Sequence, residues 1–552
     1  MLVDCDVLII GGGPVGLTCA AELIRQGISS FQIVDKRLAL DIKSTGTTVT
    51  PPTMEVLESY GLTKDLMMKY GYHGKMCNLL VGSPTKTLKQ SYESVLQNHT
   101  KYPFFLGIEQ WYTEKSLNNF INTKNHQVLR GYHITDLKDS GDVVLVDYFN
   151  VNDSPQTIHQ IKVKFVIAAD GARSPTRKRL GIKYEGSTNK RSCTLIHFKS
   201  DSFQFPENTL HISFEPKGGY FGMRLPNETM VCAIPLLEHE EAKWISDKVD
   251  NHDNQITLPI PDDEYLKMFK YRNIPITSLN NVIWKTHFRP HNRVASSYWN
   301  QNRIFLAGDA VHSSDPMAGL GLNYGIQDSA NLGWKIAFVL KGYASRSLLE
   351  TYETEMRPNG DVARQEGLIS ESNFKSKSNF MAKFIANVLI PVFYYTGLND
   401  KMFLHSFNLD IHHKSKLTSE RWAINWSLTS IWLAVRYLFM SRIKAGEKFK
   451  SSLHKLLPDS ESFIKSTKFK VILFEGSDSV KNKQLHSIGK EILDSNRFVD
   501  NYQIITDSEK EMYARCGVIG ECMMIIRPDH FIGLRCHAIN INHVNEYFSV
   551  LA

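Results

Sequence analysis

Three glycines and one aspartate near the beginning of the sequence have the types and spacing that a dinucleotide-binding turn needs. Gly11, Gly13 and Gly16 form the pattern G-x-G-x-x-G and follow an apolar run, DVLII. The first glycine permits a tight turn, the second lets a pyrophosphate approach the backbone, and the third lets a helix pack closely on a strand. Asp35 follows nineteen residues after Gly16, at the end of a second apolar run, where it can accept hydrogen bonds from a ribose diol.

This turn predicts a strand, a helix and a second strand that together hold an adenine dinucleotide at the helix N-terminus. The candidate binding residues here are Gly11, Gly13, Pro14, Val15, Gly16, Asp35 and Lys36. The turn alone leaves NAD and FAD both open.

A second acidic residue stands at a predicted strand end later in the chain. The stretch RIFLAGDA leads into Asp309, a glycine-rich loop follows, and residues 322–340 then have the pattern of a long amphipathic helix. This order would set a carboxylate against a polyol and aim helix N–H groups at an electron-rich ring. The candidate residues here are Gly308, Asp309, Pro316, Gly319, Gly321, Leu322 and Asn323.

A third motif, DGARSPTR at 170–177, also follows a strand-like run, and the sequence has no second strand–G-x-G-x-x-G–helix pattern. With GDAVHSSDPMAGLGLN at 308–323 and IEQWYTEKSL at 108–117, the chain resembles the class A FAD-dependent aromatic monooxygenases, the family of para-hydroxybenzoate hydroxylase and phenol hydroxylase. The resemblance covers residues 1 to about 365.

The resemblance implies that the first glycine turn cradles the FAD pyrophosphate and that Asp35 holds the adenosine ribose. Gln110 would lie beside the flavin, Asp309 would bind the ribitol, and the loop 316–323 would line the isoalloxazine ring. Asp170 and Gly171 belong to a motif linked to both FAD and a transiently bound NAD(P)H. The family usually carries an arginine after the second strand; Thr45 stands at that place here, and Lys43 could supply the charge.

The implied reaction is hydroxylation of a phenolic or related aromatic compound, with NAD(P)H, O₂ and a flavin peroxide intermediate. NADH and NADPH both stay open. We assign no catalytic residue firmly, because the cofactor carries most of the chemistry. Groups that could favour the substrate's phenolate are His211, Tyr220, His287 and His312. No metal is expected. Two other functions stay open: a flavin dehydrogenase or reductase that inserts no oxygen, and a non-catalytic, membrane-associated FAD-binding scaffold.

The composition limits the cellular compartment and the binding partners that we expect for the protein. The 552 residues include 64 Lys and Arg against 57 Asp and Glu, a net charge of +7 without a dense basic stripe, so we expect no nucleic acid partner. Eight scattered cysteines and no expected secretory signal favour the cytoplasm. Two apolar segments, 380–398 and 422–440, are expected to pack on the protein core or on a second copy of the chain, with contact to a membrane surface left open.

We therefore expect an α/β protein with a Rossmann-type FAD-binding domain, a mainly antiparallel β-sheet substrate domain and a C-terminal thioredoxin-like domain. The FAD-binding domain would comprise 1–180 and 296–365, and the substrate domain 181–295. A helical region would span 366–444. The terminal domain, 445–552, contains MMIIRPDHFIGLR, which resembles the thioredoxin-like domain of the phenol hydroxylase branch; there we expect a scaffold or homodimer role.

Overall fold

A computed structural model gives the architecture of most of the chain. It describes residues 4–40, 46–81, 86–153, 157–189, 192–214, 218–249, 255–313, 319, 321–375, 392, 404, 409, 411–421, 443–476, 479–506 and 508–551. Most of each apolar segment, 380–398 and 422–440, lies outside these residues, and so does Pro316. In the described part of the chain, no helix combines the length and the apolar character needed to cross a membrane.

The strands, in chain order, are β1 (Cys5–Ile10), β2 (Phe31–Asp35), β3 (Thr48–Val49), β4 (Tyr72–Gly74), β5 (Met76–Val81), β6 (Lys86–Ser91), β7 (Phe105–Gly107), β8 (Val128–Arg130), β9 (Tyr132–Asp139), β10 (Val144–Asn150), β11 (His159–Ala168), β12 (Tyr184–Thr188), β13 (Cys193–Lys199), β14 (Thr209–Phe214), β15 (Tyr220–Leu225), β16 (Thr229–Pro235), β17 (Ile245–Val249), β18 (Gln255–Thr257), β19 (Asn281–Phe288), β20 (His291–Ala295), β21 (Ile304–Leu306), β22 (His312–Ser313), β23 (Ser419–Arg421), β24 (Phe469–Phe474), β25 (Val499–Ile505), β26 (Cys522–Ile526) and β27 (Ile532–Cys536).

The helices, in chain order, are α1 (Pro14–Arg25), α2 (Pro51–Ser59), α3 (Thr63–Lys69), α4 (Tyr92–Leu96), α5 (Gln110–Thr123), α6 (Pro175–Arg179), α7 (Glu238–Trp244), α8 (Asp262–Tyr271), α9 (Gly321–Leu340), α10 (Glu350–Lys375), α11 (Ser460–Lys465), α12 (Ser479–Ser495), α13 (Lys510–Cys516) and α14 (Ile541–Ser549).

The first sheet has the strand order β8-β2-β1-β11-β10-β9, with β21 paired to β11. Its central strands are parallel: Val7 of β1 pairs with Phe31 of β2 on one side and with Phe165 of β11 on the other. Strand β1 is buried along most of its length, as its continuous apolar run predicts. The connecting helix α1 begins with Pro14 in its first turn, where a proline costs no hydrogen bond. The predicted α/β fold with a Rossmann-type unit is confirmed.

The second sheet has the order β19-β13-β16-β15-β14-β5-β6 and is antiparallel except for the parallel pair β14 and β5. Five of its strands lie between residues 193 and 288, inside the segment 181–295 where the sequence analysis expected a mainly antiparallel sheet. Its last two strands, β5 and β6, come instead from residues 76–91, in the segment that the sequence analysis placed in the FAD-binding domain. Helix α8 covers one face, where Phe198 and Phe269 share a buried cluster.

The third large sheet, of order β23-β27-β26-β24-β25, lies in the C-terminal part. Strands β24 and β25 are parallel, β26 runs antiparallel to β24, and helix α12 connects the parallel pair. Helix α9 contacts this unit directly, because Trp334 and Phe338 belong to the same buried cluster as Phe469 and Val471.

Candidate functional site

A cavity of about 580 Å³ lies between the carboxyl ends of the parallel strands and one face of the second sheet. Of the residues that the sequence nominated, the structure places these on its wall: Gly11, Gly13, Pro14, Val15, Asp35, Lys36, Gln110, Asp170, Gly171, Asp309, Gly319, Gly321 and Leu322. Segments distant in the sequence therefore meet around one space, as expected at the carboxyl ends of strands in an open α/β sheet.

Of the three glycines in the turn, Gly13 alone has room for a Cβ atom. Gly11 has φ +111°, and a Cβ there would collide with the carbonyl oxygen of Ala169. A Cβ on Gly16 would collide with the carbonyl oxygen of Gly11, so this position holds helix and strand together. Gly13, by contrast, has φ −84°, and the nearest atom to a Cβ there is Nη2 of Arg37, 4.0 Å away. The space above Gly13 is therefore free for a ligand's phosphates.

Asp35 ends β2 as a buried acceptor with two guanidinium groups beside it. Its Oδ2 accepts from the backbone N–H of Gly12 at 2.8 Å and from Nη2 of Arg37 at 2.9 Å. Arg130, at the end of β8, has Nη1 3.7 Å from the same oxygen. Burial raises the pKa of Asp35, but the bonds from Arg37 outweigh it and the net pKa is lowered. Asp35 is therefore held as a carboxylate, the form that accepts from a ribose diol.

The sequence left open which residue supplies positive charge where the family usually has an arginine after the second strand. Thr45, at that place, and Lys43 both lie outside the described residues. Arg37 and Arg130 supply positive charge beside the glycine turn. Sequence reasoning overlooked both, although Arg37 follows Asp35 by two residues and Arg130 ends a strand that pairs with β2.

Helix α5 brings two polar side chains to the middle of the cavity. Gln110 accepts from the backbone N–H of Gly46 at 3.1 Å and donates to Glu114 at 2.7 Å. Burial raises the pKa of Glu114, with Arg37 acting in the opposite direction from 3.8 Å. This chain of contacts joins the second strand, helix α5 and the loop at Gly46.

The DGARSPTR segment connects the end of β11, at Asp170, with the loop after β21, at Asp309. Asp170 accepts from the backbone N–H of Thr176 at 3.0 Å through one oxygen, while its other oxygen is buried without a hydrogen-bond partner among the described residues. Arg177 donates to the carbonyl of Ala310 at 2.8 Å and stacks 3.7 Å above the ring of Tyr184. The Tyr184 hydroxyl donates in turn to the backbone carbonyl of Asp309 at 3.0 Å.

Asp309 opens into the cavity, and enclosure by the surrounding protein raises the pKa of its carboxyl; Asp328 adds to this effect, and His312 opposes it. Gly308 lies beneath it with φ +62°, against Val15, and donates its N–H to Asp328 at 3.0 Å. Asn323 is buried at the start of α9, where it accepts from the N–H of Thr50 at 2.8 Å. Gly308 and Asn323 thus lie behind the cavity wall and support the residues that line it.

The four side chains suggested to favour a phenolate lie away from the cavity. Phe221 and Phe288 line it, so their strand neighbours Tyr220 and His287 point to the other face of the sheet. His211 lies beside Phe205 on that same far face, with ring centroids 5.2 Å apart. His312 is buried with its Nε2 2.7 Å from Asp328.

A different histidine lies on the cavity side. Cys193 and Leu195 of β13 line the cavity, and His197 follows at the next position on the same face. Its Nε2 is 3.2 Å from Oε1 of Glu109, which also accepts from the indole of Trp111. Burial lowers the pKa of His197 to about 4 and raises the pKa of Glu109. Strand alternation puts His197 on the same face as Cys193 and Leu195, but the sequence does not say which face of β13 meets the cavity.

Comparison with known proteins agrees with this geometry. Residues 4–366 match the family described as "FAD binding domain", and residues 439–552 match "Phenol hydroxylase, C-terminal dimerisation domain". Pentachlorophenol 4-monooxygenase of Sphingobium chlorophenolicum is 30% identical over 364 residues, 66% of this chain and 63% of that protein. Rifampicin monooxygenase of Streptomyces venezuelae is 27% identical over 354 residues, 64% of this chain and 68% of that protein. The match to the first relative thus spans less than two thirds of its length.

Two solved structures share the fold along nearly the whole chain. The flavin-dependent monooxygenase PieE, in complex with FAD and substrate, has a TM-score of 0.75 and 16% identity, with 99% of this chain and 98% of that chain covered. Aklavinone-11 hydroxylase, with FAD and aklavinone, has a TM-score of 0.73 and 17% identity over 100% and 99% of the two chains.

The residues present fit FAD. The open space above Gly13 suits a pyrophosphate, and the cavity presents carboxylates at Asp35 and Asp309 for the two polyol parts of the cofactor. The unpaired buried oxygen of Asp170 adds a further acceptor. FAD is the cofactor, and the chain belongs to the FAD-binding domain family that includes the FAD-dependent aromatic monooxygenases.

Proposed function

We propose that the protein is an NAD(P)H-dependent monooxygenase that uses O₂ to hydroxylate a phenolic or related aromatic compound. The main support for this proposal is that two chemically different surfaces line one cavity. The parallel sheet supplies the glycine turn and carboxylates that suit a dinucleotide, and the second sheet supplies an apolar face that suits an aromatic ring. Such an enclosed apolar wall also keeps water from the reacting groups.

In this proposal the backbone around Gly11 and Gly13 holds the pyrophosphate, Asp35 the adenosine ribose and Asp309 the ribitol. Gln110 and the residues from Gly319 to Asn323 border the flavin ring, and NAD(P)H docks at the surface that includes Asp170 and Gly171. When bound, FAD would supply the redox chemistry, namely acceptance of a hydride from NAD(P)H and delivery of one oxygen atom of O₂ to the aromatic ring, with the other atom leaving as water.

We infer that His197 accepts a hydrogen bond from the substrate's hydroxyl. A ring that rests on Leu195 lies about 7 Å, one repeat of the pleat, from His197. The buried imidazole is neutral above a pH of about 4, so it is too weak a base to remove the proton of a phenol. With Nε2 facing Glu109, Nδ1 is the ring atom that accepts this bond. The bond positions the hydroxyl and the ring that carries it.

We also propose that the C-terminal unit supports a homodimer, because residues 439–552 match a dimerisation domain. The division into a split FAD-binding domain, a substrate domain and a terminal domain is retained, with strands β5 and β6 added to the substrate sheet. Strand β5 pairs with β14 and β6 pairs with β5, so the two strands extend the sheet beyond β14.

The test is oxidation of NADH and NADPH by the purified holoenzyme, with O₂ uptake recorded, against a panel of phenols and quinols. We expect at least one compound to accelerate both signals and to gain one oxygen atom. The Asp309→Ala variant should lose FAD and all activity, whereas Asp263→Ala, at an exposed position of α8, should keep both. NAD(P)H oxidation with another acceptor and no oxygen insertion would instead indicate a dehydrogenase. Tight FAD with no turnover of any donor would indicate a scaffold.

A further inference from the structure

The wall that the second sheet offers to the cavity is one continuous apolar patch. It consists of Cys193, Leu195, Phe221, Ala233 and Phe288. These residues lie on four adjacent strands and are neighbours across them. Phe288 pairs with Cys193, Leu195 pairs with Ala233, and Ala233 pairs with Phe221. With neighbouring strands about 4.8 Å apart, the patch is about 14 Å wide.

Charge is distributed unevenly around the cavity. Among the described residues, the acidic and basic side chains on its wall are Asp35, Lys36, Arg37, Glu114, His133, Asp170 and Asp309, and all of them come from the nucleotide-binding side. The five residues of the patch contain no carboxylate, ammonium or guanidinium group. Opposite the patch, the described part of the flavin loop contributes Gly319, Gly321 and the apolar Leu322.

In the described part of the chain, the ionisable groups next to the patch would not attract an anion either. Arg289, which follows Phe288, is paired with Glu241, with Nη2 3.0 Å from Oε1. His197 continues the Cys193–Leu195 row, and burial lowers its pKa to about 4, so it is uncharged near neutral pH. Its neighbour Glu109 is an acid, and an ionised substrate group placed here would approach a carboxylate rather than a cation. An ionised group buried without a partner is strongly disfavoured.

We propose, on the basis of the function proposed above, that the substrate is an electrically neutral aromatic hydroxyl compound without a carboxylate or other permanently ionised substituent. The ring rests on the patch between Leu195 and the two phenylalanines, and its hydroxyl is the polar anchor that faces His197.

The experiment compares compounds that differ only in charge. The FAD holoenzyme is titrated with 3-(3-hydroxyphenyl)propionate and with its amide, and with 4-hydroxybenzoate and 4-hydroxybenzamide. Binding is read from the perturbation of the flavin spectrum, and turnover from NAD(P)H oxidation. We expect the neutral member of each pair to bind about tenfold more tightly or better, because the anion finds no partner.

Equal or tighter binding of the carboxylates would overturn the inference, and so would failure of every neutral member to bind. If the amides bind preferentially but no aromatic compound stimulates oxidation, the inference about the wall stands and the proposed monooxygenase function is wrong. Binding and turnover therefore report on the two proposals separately.

A variant tests the same point from the side of the protein. Leu195→Arg introduces a cation into the patch and should reverse the order within each pair, whereas Leu195→Met keeps the wall apolar and should preserve it. Both variants are first checked for FAD content and for the unfolding temperature. If Leu195→Arg does not fold, the comparison with the unaltered enzyme still decides the proposal. A folded Leu195→Arg that keeps the preference for the amides would contradict it.

Discussion

His197 and His287 lie on neighbouring strands of the second sheet but on opposite faces. His197 of β13 pairs with Trp284 of β19, whereas His287 pairs with Thr194. Since Cys193 and Leu195 line the cavity, the alternation of the strands puts His197 on the cavity face and His287 behind it. Burial lowers the pKa of both imidazoles, so the two histidines differ mainly in the face they occupy.

This pair allows a controlled test of the proposed hydrogen-bond acceptor. His197→Leu should reduce kcat/KM for a phenolic substrate about tenfold, because the substrate's hydroxyl loses its partner. Binding of an analogue that lacks the hydroxyl should not change, because it makes no such bond. His287→Leu should leave the binding of both compounds unchanged. Equal losses for the phenol and for its deoxy analogue in His197→Leu would assign His197 a structural role instead.

Substitution of two glycines in the turn by valine should have different consequences. Gly13→Val should fold normally, because its φ of −84° suits any residue and the nearest atom to the new Cβ is 4.0 Å away. It should nevertheless lose FAD, since the side chain would fill the space of the pyrophosphate. Gly16→Val should fail to fold, because its Cβ would collide with the carbonyl of Gly11.

Flavin content after purification and the unfolding temperature separate these effects. A Gly13→Val protein with full flavin occupancy would refute the assignment of the turn. A stable, correctly folded Gly16→Val protein would show that α1 and β1 tolerate a wider spacing than the structure has.

The sequence was sufficient where a local pattern determines a local structure. The turn at Gly11, the acid at Asp35 and the strand before Asp309 each combine one apolar run with a few diagnostic residues, and each element forms within a few residues of its expected position. The family motifs then supplied the order in which these segments converge, which spacing alone does not contain.

What the sequence did not provide depends on contacts between distant segments. His197 was overlooked because nothing local marks it; its significance comes from the face of β13 and from Glu109, which belongs to another element. Strands β5 and β6 join the second sheet through the parallel pairing of β14 with β5, a contact over more than a hundred residues. Arg130 approaches Asp35 only because β8 pairs with β2.

Acidification should destabilise the protein through its buried histidines, of which His454 is a clear case. Burial lowers its pKa to about 3, and among the described residues neither ring nitrogen has a hydrogen-bond partner. The unfolded chain takes up a proton near pH 6.5 but the folded chain does not, so the stability present above pH 6.5 is lost as the pH falls toward 3. From pH 6.5 to pH 5 this histidine accounts for about 2 kcal/mol.

His454→Phe should remove this contribution while preserving the ring stack with Phe449. We expect the variant to match the unaltered protein at pH 7.5 and to unfold at a higher temperature at pH 5. The exposed His486→Phe serves as control and should leave the pH dependence unchanged. An identical loss of stability on acidification in His454→Phe would show that other groups dominate.

A fully buried ion pair connects the C-terminal unit to the helices that follow the flavin loop. Arg527 donates to the two oxygens of Glu355 at 2.6 and 2.7 Å, and Lys335 of α9 donates to the same carboxylate at 2.8 Å. Arg527→Met leaves Glu355 with one cation and also removes the ion pair between Arg527 and Asp529, 2.6 Å apart. It should lower the free energy of unfolding by at least about 3–5 kcal/mol, the range for a broken buried pair. Because α9 begins at the cavity, flavin content should fall as well.

Two comparison variants help to interpret the effects of Arg527→Met on stability and flavin content. Lys69→Met removes an exposed partner of Asp65, 3.4 Å away, and should change the free energy of unfolding by no more than about 1 kcal/mol. The double variant Arg527→Met, Glu355→Leu should not recover the lost stability, because buried Asp529 still lacks Arg527 and buried Lys335 loses Glu355. Urea unfolding, followed together by flavin release and by tryptophan fluorescence, measures both quantities. If Arg527→Met were as stable as Lys69→Met and held FAD normally, the C-terminal unit would not support the flavin side of the molecule through this pair.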